Sequence, residues 1–291
     1  MINTDDIISI EKLLNNKKII FSKILSNSFG INCVKLTTSD NKNYIVKYYE
    51  ELKNNFNSIT SEKKNLLYLK KINLKHFPKV FLDNDKYLII SYINNNKLQP
   101  NETRSDLLNA ITGIHSITEK NYGFSFDTQI GGLKQKNNNS YNWVELYRDH
   151  RLAYIYEIIS SSYPMENSIN KKIEYLIKNL EDFIPKKPKP SLLHGDLWEG
   201  NILFNDYKFV GFIDPGSFYG HNELEIAYLR WFNPTFIDRN FLDKYNEIIK
   251  VDKYYYNYEP IYQLYYSLLN VHLWDRSYME DTRNLINKLN I

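Results

Sequence analysis

From Leu192 the chain reads Leu-Leu-His-Gly-Asp-Leu-Trp-Glu-Gly-Asn-Ile-Leu-Phe, and shortly afterwards Gly211-Phe212-Ile213-Asp214-Pro215-Gly216. Apolar runs on both sides of the first polar stretch read as short strands, so residues 192–214 form a compact strand-loop-strand block. The second strand ends abruptly in Asp214. Three polar side chains are thereby fixed in order: Asp196, Asn201 five positions on, and Asp214 thirteen beyond that. Each alone is compatible with ordinary turn chemistry, Asp196 capping a turn, Asn201 occupying a hairpin and Asp214 closing a strand. The joint spacing between apolar strands is what constrains the fold.

The rest of the chain divides around this block. Its 291 residues suit one or two units, and two lobes sharing a cleft would fit. The first ninety or so residues read as a small, mostly β lobe. Runs at 18–25, 32–38 and 43–49 are β-branched and aromatic, separated by turn formers that include Ser39-Asp40-Asn41-Lys42-Asn43. Residues 60–71 predict a helix capped by Thr60 or Ser61. Residues 80–82 and 87–92 predict two more strands around Asp83-Asn84-Asp85. The polar stretch Asn94-Asn95-Asn96-Lys97 marks the boundary between a lobe at 1–93 and a lobe at 94–291. Beyond it, helical spacing appears at 103–117, 143–160, 168–183, 223–232 and 261–278. Residues 122–142 read as irregular, and Pro185, Pro188 and Pro190 as a semi-rigid lead into the block. The fold class expected is α+β, with a five-stranded antiparallel lobe and a larger, mainly helical one.

Composition excludes several classes. A net charge of +3, with Lys and Arg scattered among Asp and Glu, leaves no nucleic-acid footprint. No run approaches the roughly 18 apolar residues of a membrane span. The start, MINTDDIISIEKLL, reads as an amphipathic helix and not as a secretion signal. A single cysteine, Cys33, precludes an internal disulfide and fits a reducing cytoplasm. The 25 tyrosines, with abundant Asn, Lys and Ile, read chiefly as compositional bias.

His-x-Asp followed five residues later by Asn is the spacing of the protein-kinase catalytic loop, with Gly195 where those enzymes carry Arg. One carboxylate can meet an attacking hydroxyl while a tight loop returns an amide oxygen to a metal beside the phosphates. Such a site needs a phosphate-grasping cation, and Lys47 lies in the third strand, either for that purpose or on an exposed sheet face. Glu62 on the following helix could hold Lys47, or serve as a first-turn residue favoured by the helix dipole. The turn Ser26-Asn27-Ser28-Phe29-Gly30 is expected over the phosphates of ATP, with Ser28 and Gly30 among the contacts. Cys33, just past it, reads as a small buried side chain.

LLHGDLWEGN and IDPGSFYGHNELEIAYL, with KNYGFSFDTQIGG, NWVELYRDHRL and IYQLYYSLLN, closely resemble the fructosamine kinase (ketosamine-3-kinase) family, of the aminoglycoside-phosphotransferase branch of kinase-like folds. The resemblance covers most of the chain. It implies an ATP- and Mg²⁺-dependent kinase acting on the C3 hydroxyl of a ketosamine, free or on a glycated protein lysine, and hence deglycation repair. Asp196 would orient and deprotonate that hydroxyl. Asn201 and Asp214 would hold Mg²⁺, and Lys47 and Glu62 would position ATP. The adenine would rest along 90–93, bonded through the backbone of Ile90, Tyr92 and Ile93; many relatives have Glu at Ser91. Trp198 would face the ketosamine, stacking on a sugar or an amine, or else be a core aromatic. Tyr219 and His272 are further acceptor contacts, although Asp275 stands where relatives commonly have Gly. For His221 and Glu223 a structural role is expected, and His194 is expected to orient the loop through backbone bonds. Relatives with a cysteine in the phosphate loop form redox-controlled dimers; Cys33 is displaced from that position, and the expected assembly is a monomer or weak dimer. The alternatives are a kinase of another hydroxyl compound, such as an aminoglycoside, choline or a thiosugar, and a catalytically silent pseudokinase.

Overall fold

A computed structural model describes residues 4–52, 56–83, 86–289 and 291. The chain opens with helix α1 (Thr4–Leu13), followed by strands β1 (Ile19–Ser28), β2 (Ile31–Thr38) and β3 (Asn43–Tyr49). Helix α2 (Ser58–Lys71) precedes β4 (Val80–Asp83) and β5 (Tyr87–Ser91). The five strands form one antiparallel sheet in the order β1-β2-β3-β5-β4. Its two faces are set by the period-2 alternation of β3. Tyr44, Val46 and Tyr48 join Val34, Leu36 and Ile89 under Ile10 and Leu14 from the α1 side. Ile45 and Tyr49 look the other way, with Leu88 and Ile90, toward Ile59 and Leu66 of α2. Lys47 is in phase with this second set, so the same alternation aims its side chain toward α2.

The expected strands and helix of this region are all present. Two details differ. Helix α2 begins earlier, at Ser58, because Asn57 caps it by accepting from Thr60 N–H at 3.0 Å, leaving Thr60 and Ser61 inside. Strand β1 runs on to Ser28, so the turn expected at 26–30 shrinks to Phe29 and Gly30, both with positive φ, as a tight two-residue hairpin requires. The Asn84-Asp85 part of the turn expected between β4 and β5 lies outside the described residues.

The remaining chain is mainly helical: α3 (Ser105–His115), the hairpin β6 (Thr128–Ile130) and β7 (Leu133–Gln135), α4 (Trp143–Tyr147), α5 (Ala153–Ser162) and α6 (Asn167–Lys178). Next come β8 (Pro190–Leu193), β9 (Ile202–Asn205), β10 (Lys208–Phe212), β11 (Phe218–His221), α7 (Asn222–Phe232), α8 (Phe241–Ile248), α9 (Tyr255–Leu273) and α10 (Tyr278–Lys288). Strands β9 and β10 form a hairpin, and β8 pairs with β11. One continuous core of Leu, Ile, Phe and Tyr underlies them.

Several expectations are corrected here. The single helix expected over 143–160 is interrupted by a π turn, Arg148–Leu152, in which Arg151 is fully buried. Its guanidinium donates to the carbonyl of Lys136 (2.7 Å) and to Asn137 Oδ1 (2.6 Å), so the helix widens to bring that cation to the segment just after β7. The 122–142 segment contains the β6–β7 hairpin. Helix α9 starts six residues before the expected 261 and stops at Leu273. Asp275 then accepts from Ser277 N–H at 2.8 Å and turns the chain into α10, so the Asp that departs from the family pattern has a local capping role. Among the described residues no helix is long and apolar enough to cross a membrane.

His221 and Glu223 are structural, as expected. His221 Nδ1 meets the Tyr262 hydroxyl at 2.9 Å, and that hydroxyl also receives Trp143 Nε1–H at 2.8 Å. Glu223 accepts from the Tyr258 hydroxyl and from Asp252 N–H. Burial pushes the His221 imidazole down to about 3 from an ordinary 6.5. The unfolded chain therefore takes up this proton first, so the stability contributed by neutral His221 is complete above about pH 6.5 and is lost as pH falls toward 3. The variant H221N should melt lower than wild type at neutral pH, yet show a shallower fall in Tm across that acid window. Parallel Tm-against-pH curves would assign the acid sensitivity to other groups.

Candidate active site

The geometry is built outward from Lys47. Its ammonium lies 2.8 Å from both carboxylate oxygens of Glu62 and also bonds Asp214. Burial alone would push this ammonium down, but the charges of Asp214 and Glu62 outweigh it and hold Lys47 above its ordinary range. A cation this buried is tolerable only when paired. Three elements distant in sequence, β3, α2 and the segment after β10, are thereby tied at one atom. The second face of the Lys47 position is Cys33, its cross-strand partner on β2, whose thiol burial pushes up to about 11. Cys33 is half-buried where the sequence reads it as buried, and its thiol is not activated.

Asp214 stands just past β10 with φ of 57°, a left-handed conformation that turns its side chain out of the strand. The loop behind it is gripped from several sides. Gly216 N–H donates to the carbonyl of His194 at 2.9 Å, Ser217 N–H donates to Asn65 Oδ1 at 2.9 Å, and Thr128 Oγ1 donates to the Gly216 carbonyl at 3.0 Å. Asn65 lies one helical turn after Glu62, so a single face of α2 holds both the lysine and the Asp214 loop.

Asn201 closes a single 3₁₀ turn after Trp198. Its amide donates to the Asp196 carbonyl (2.8 Å) and to Asp196 Oδ2 (3.2 Å), which leaves its own Oδ1 free to face a cation. Ile213 N–H donates to the Asn201 carbonyl at 3.0 Å, bringing Asn201 beside Asp214. A carboxylate and an amide oxygen are hard donors of the kind Mg²⁺ prefers, so these residues fit the ion. Asp196 is buried, and burial followed by the charge of Asp214 pushes its carboxyl up to about 8, opposed by bonds from Asn201 and from Gly131 N–H. Two donors set the geometry of this carboxyl, which in its ionised form can accept a proton from an alcohol.

The loop carrying Asp196 is fixed from below by a residue that the sequence did not single out. Glu225 on α7 accepts His194 N–H at 2.9 Å and Gly195 N–H at 2.7 Å, and its Oε2 meets His115 Nε2 at 2.9 Å. His194 accepts Asp196 N–H through Nδ1 at 3.3 Å, the backbone-orienting role expected of it. Gly195 takes φ of 90°, and a Cβ there would lie 2.0 Å from the Gly216 carbonyl oxygen. The arginine of protein kinases is thus excluded at this position by the Asp214 loop itself.

The other expected residues fall as follows. Ser28 and Gly30 sit at the β1–β2 tip. Ile90 is buried in β5 between Ile45 and Val80, while Tyr92 and Ile93 continue past its last paired residue. Ile93 packs against Gly211 of β10, and Lys35 lies over the Tyr92 ring at 4.0 Å. Trp198 is half-buried against Phe232 and Trp274. His272 lines a cavity of about 640 Å³ together with Phe29, Gly30, Gly131, Gly132 and Leu273. Tyr219 is buried, its hydroxyl meeting that of Tyr68 on α2 at 2.6 Å, and it does not line the cavity that His272 does.

A five-stranded antiparallel sheet set over a helical lobe, with these groups in the gap, is the architecture of kinase-like phosphotransferases. An ADP-bound aminoglycoside phosphotransferase, APH(2'')-Ib, superposes with a TM-score of 0.62 at 18% identity, over 96% of each chain. The chain belongs to the fructosamine kinase family, whose model matches residues 12–291. A probable ketoamine kinase of Enterococcus faecium is 32% identical over 206 residues, 69% of this chain and 70% of that one. A crystal structure from Thermobifida fusca, provisionally named a fructosamine-3-kinase, superposes with a TM-score of 0.82 at 20% identity, over 97% of this chain and 96% of that one. The chain is accordingly a phosphotransferase acting on an alcohol group.

Removing the Glu225 bonds should release the loop. Glu225→Ala leaves two buried N–H groups and His115 without their acceptor, a loss on the order of 3 kcal/mol or more in unfolding free energy. Glu225→Gln keeps one acceptor oxygen, so chemical denaturation should rank wild type above Gln and Gln above Ala. Equal midpoints for the two variants would mean that the bidentate grip is unimportant.

Proposed function

We propose that this protein transfers the γ-phosphoryl group of ATP to the C3 hydroxyl of a ketosamine. The acceptor would be a ribulosamine, erythrulosamine or fructosamine, free or carried on a protein lysine. The observation that carries the reading is the meeting of the Lys47–Glu62–Asp214 cluster with the loop in which the Asp196 carboxylate is bonded by the Asn201 amide and followed by Trp198. Asp196 would accept the hydroxyl proton while the indole packs on the sugar or its amine. Lys47 would bind the α- and β-phosphates, giving up its bond to Asp214 as it does so and keeping Glu62 as its partner. Asn201 and Asp214 would hold Mg²⁺, which when bound neutralises charge on the phosphates. Ile90, Tyr92 and Ile93 would bound the adenine, and Ser28 and Gly30 would lie over the phosphates. On this reading residues 1–93 are the nucleotide lobe and 94–291 the catalytic and acceptor lobe.

The 3-phosphate of a ketosamine is labile, so its formation would serve removal of the sugar, a deglycation repair. Cys33 being the chain's only cysteine favours a reducing compartment, and the cytoplasm is the one proposed. The intact set of Lys47, Asp196, Asn201 and Asp214 disfavours a silent scaffold.

ATP consumption measured with ribulose-lysine and fructose-lysine side by side tests the reading. Turnover with either supports it; turnover only with an aminoglycoside, choline or a thiosugar would replace the acceptor class. Asp196→Asn should lower kcat by about 10²-fold or more while nucleotide binding persists. Asp214→Ala should abolish Mg²⁺-ATP binding in calorimetry, and an unchanged affinity would move the metal site elsewhere.

A further inference from the structure

The tip of the β1–β2 hairpin does something that phosphate binding does not require. Phe29, held at φ of 56°, reaches across the cleft to the other lobe and meets the Trp274 ring edge-on, with centroids 5.4 Å apart. Trp274 in turn lies 6.2 Å from Trp198, and Trp198 lies 5.6 Å from Phe232. Four rings from four places in the sequence therefore stand in series. Unlike the core aromatics, Phe29 and Trp274 are 39% and 53% exposed, so they keep open faces rather than filling a void.

The series ends where the chemistry is. Phe29 is seated on the β6–β7 turn, where a Cβ on Gly132 would lie 2.7 Å from Phe29 Cβ, and one on Gly131 would lie 3.5 Å from its ring. Gly131 is the residue whose N–H bonds the Asp196 carboxylate. One small turn thus touches the Phe29 ring on one side and the proton-accepting carboxylate on the other. Trp198 follows Asp196 by two residues and is joined through Trp274 to Phe29, so the ring series reaches the loop that carries the carboxylate. The adjoining cavity contains two acidic side chains, Glu50 and Glu51, and neither Lys nor Arg lines it.

From this geometry we propose that Phe29 and Trp274 complete, with Trp198, an aromatic clamp on the acceptor. Phe29, carried on the nucleotide hairpin, is a specificity-determining residue selecting acceptors that bear a cationic amine next to the sugar. The proposal rests on the acceptor reading above. Aromatic faces attract ammonium groups and the apolar faces of sugars, and the two glutamates add a field of the same preference. Placing one ring of the clamp on the phosphate hairpin also couples the two substrates: closure over the nucleotide brings Phe29 onto the acceptor.

The test is steady-state kinetics of the full chain with fructose-lysine and ribulose-lysine, comparing wild type with F29A, F29L, W274A and W274F, each checked for an unaltered melting profile. The acceptor KM should rise about tenfold or more in F29A and W274A, with a much smaller change in the KM for MgATP, and F29L and W274F should recover part of the loss. Acceptor binding should also alter tryptophan emission in wild type and do so weakly in W274F. Acceptor KM within twofold of wild type in both alanine variants would overturn the clamp. So would equal increases in the two KM values, which describe a general loosening of the cleft. If wild type turns over neither ketosamine but does phosphorylate a neutral sugar or other alcohol, the ketosamine reading fails and amine selection fails with it; the same KM comparison on that acceptor then decides the clamp alone. Consumption of ATP with no acceptor of the panel would overturn both.

Discussion

Lys47 is a buried cation whose charge is tolerable only because two carboxylates reach it from different parts of the chain. That requirement organises the cleft. Glu62 must lie on a helix packed against the sheet face that Lys47 occupies, and Asp214 must leave its strand in a left-handed conformation to arrive from the other lobe. On the proposed reading, nucleotide and metal would each claim one partner of the Lys47–Asp214 bond. That bond would neutralise both groups until ATP supplied an anion for Lys47 and a divalent ion supplied charge for Asp214. The ion pair would then be the resting arrangement of these groups, whereas the Lys47–Glu62 pair is compatible with both situations.

Rigidity is distributed unevenly around that exchange. The loop bearing Asp196 is held by backbone bonds to Glu225, by the Asn201 amide and by the contact between Gly195 and the Gly216 carbonyl. All of these lie in the large lobe and none involves a group that a nucleotide would claim. In the proposed role of general base, Asp196 would have to keep its position while charge is redistributed near it, and the buried His115–Glu225 pair, braced by the Tyr245 hydroxyl on His115 Nδ1 at 2.7 Å, fixes the loop beneath it. The tyrosines that looked compositional take part in this network. Tyr245 and Tyr262 fill core volume while their hydroxyls satisfy His115, His221 and Trp143, groups that an aliphatic core would leave unpaired.

What could be read from the sequence follows from how local each constraint is. Asp196, Asn201 and Asp214 sit on one strand-loop-strand unit, so their spacing alone carried the geometry, and Lys47 was visible because a charge within a β-branched strand contradicts its surroundings. Glu62 was one carboxylate among several until α2 fixed its face. Glu225 was hidden because an acidic residue in the first turn of a helix is already explained by the helix dipole, and nothing local signals that its partners are backbone N–H groups thirty residues earlier. For Tyr219 the family pattern left the position of the hydroxyl open. Its place in the family pattern is equally well served by a hydroxyl bonded to Tyr68 behind the site as by one in front of it.

The aromatic bridge is the least legible part, since Phe29, Gly131, Trp198 and Trp274 share no periodicity and lie on four separate elements. Taken singly, they are a hairpin-tip ring, a turn glycine, a half-buried indole and the residue that follows a helix. Only their convergence is informative, and its physical basis is steric. The β6–β7 turn can be both a seat for a ring and a donor to Asp196 because it has no side chains of its own there. A side chain on either glycine would have to displace Phe29 or Leu273, lifting the hairpin from the large lobe while leaving the Lys47 ion pair in place. The two glycines thereby join the hairpin tip to the loop that carries Asp196 through a single turn.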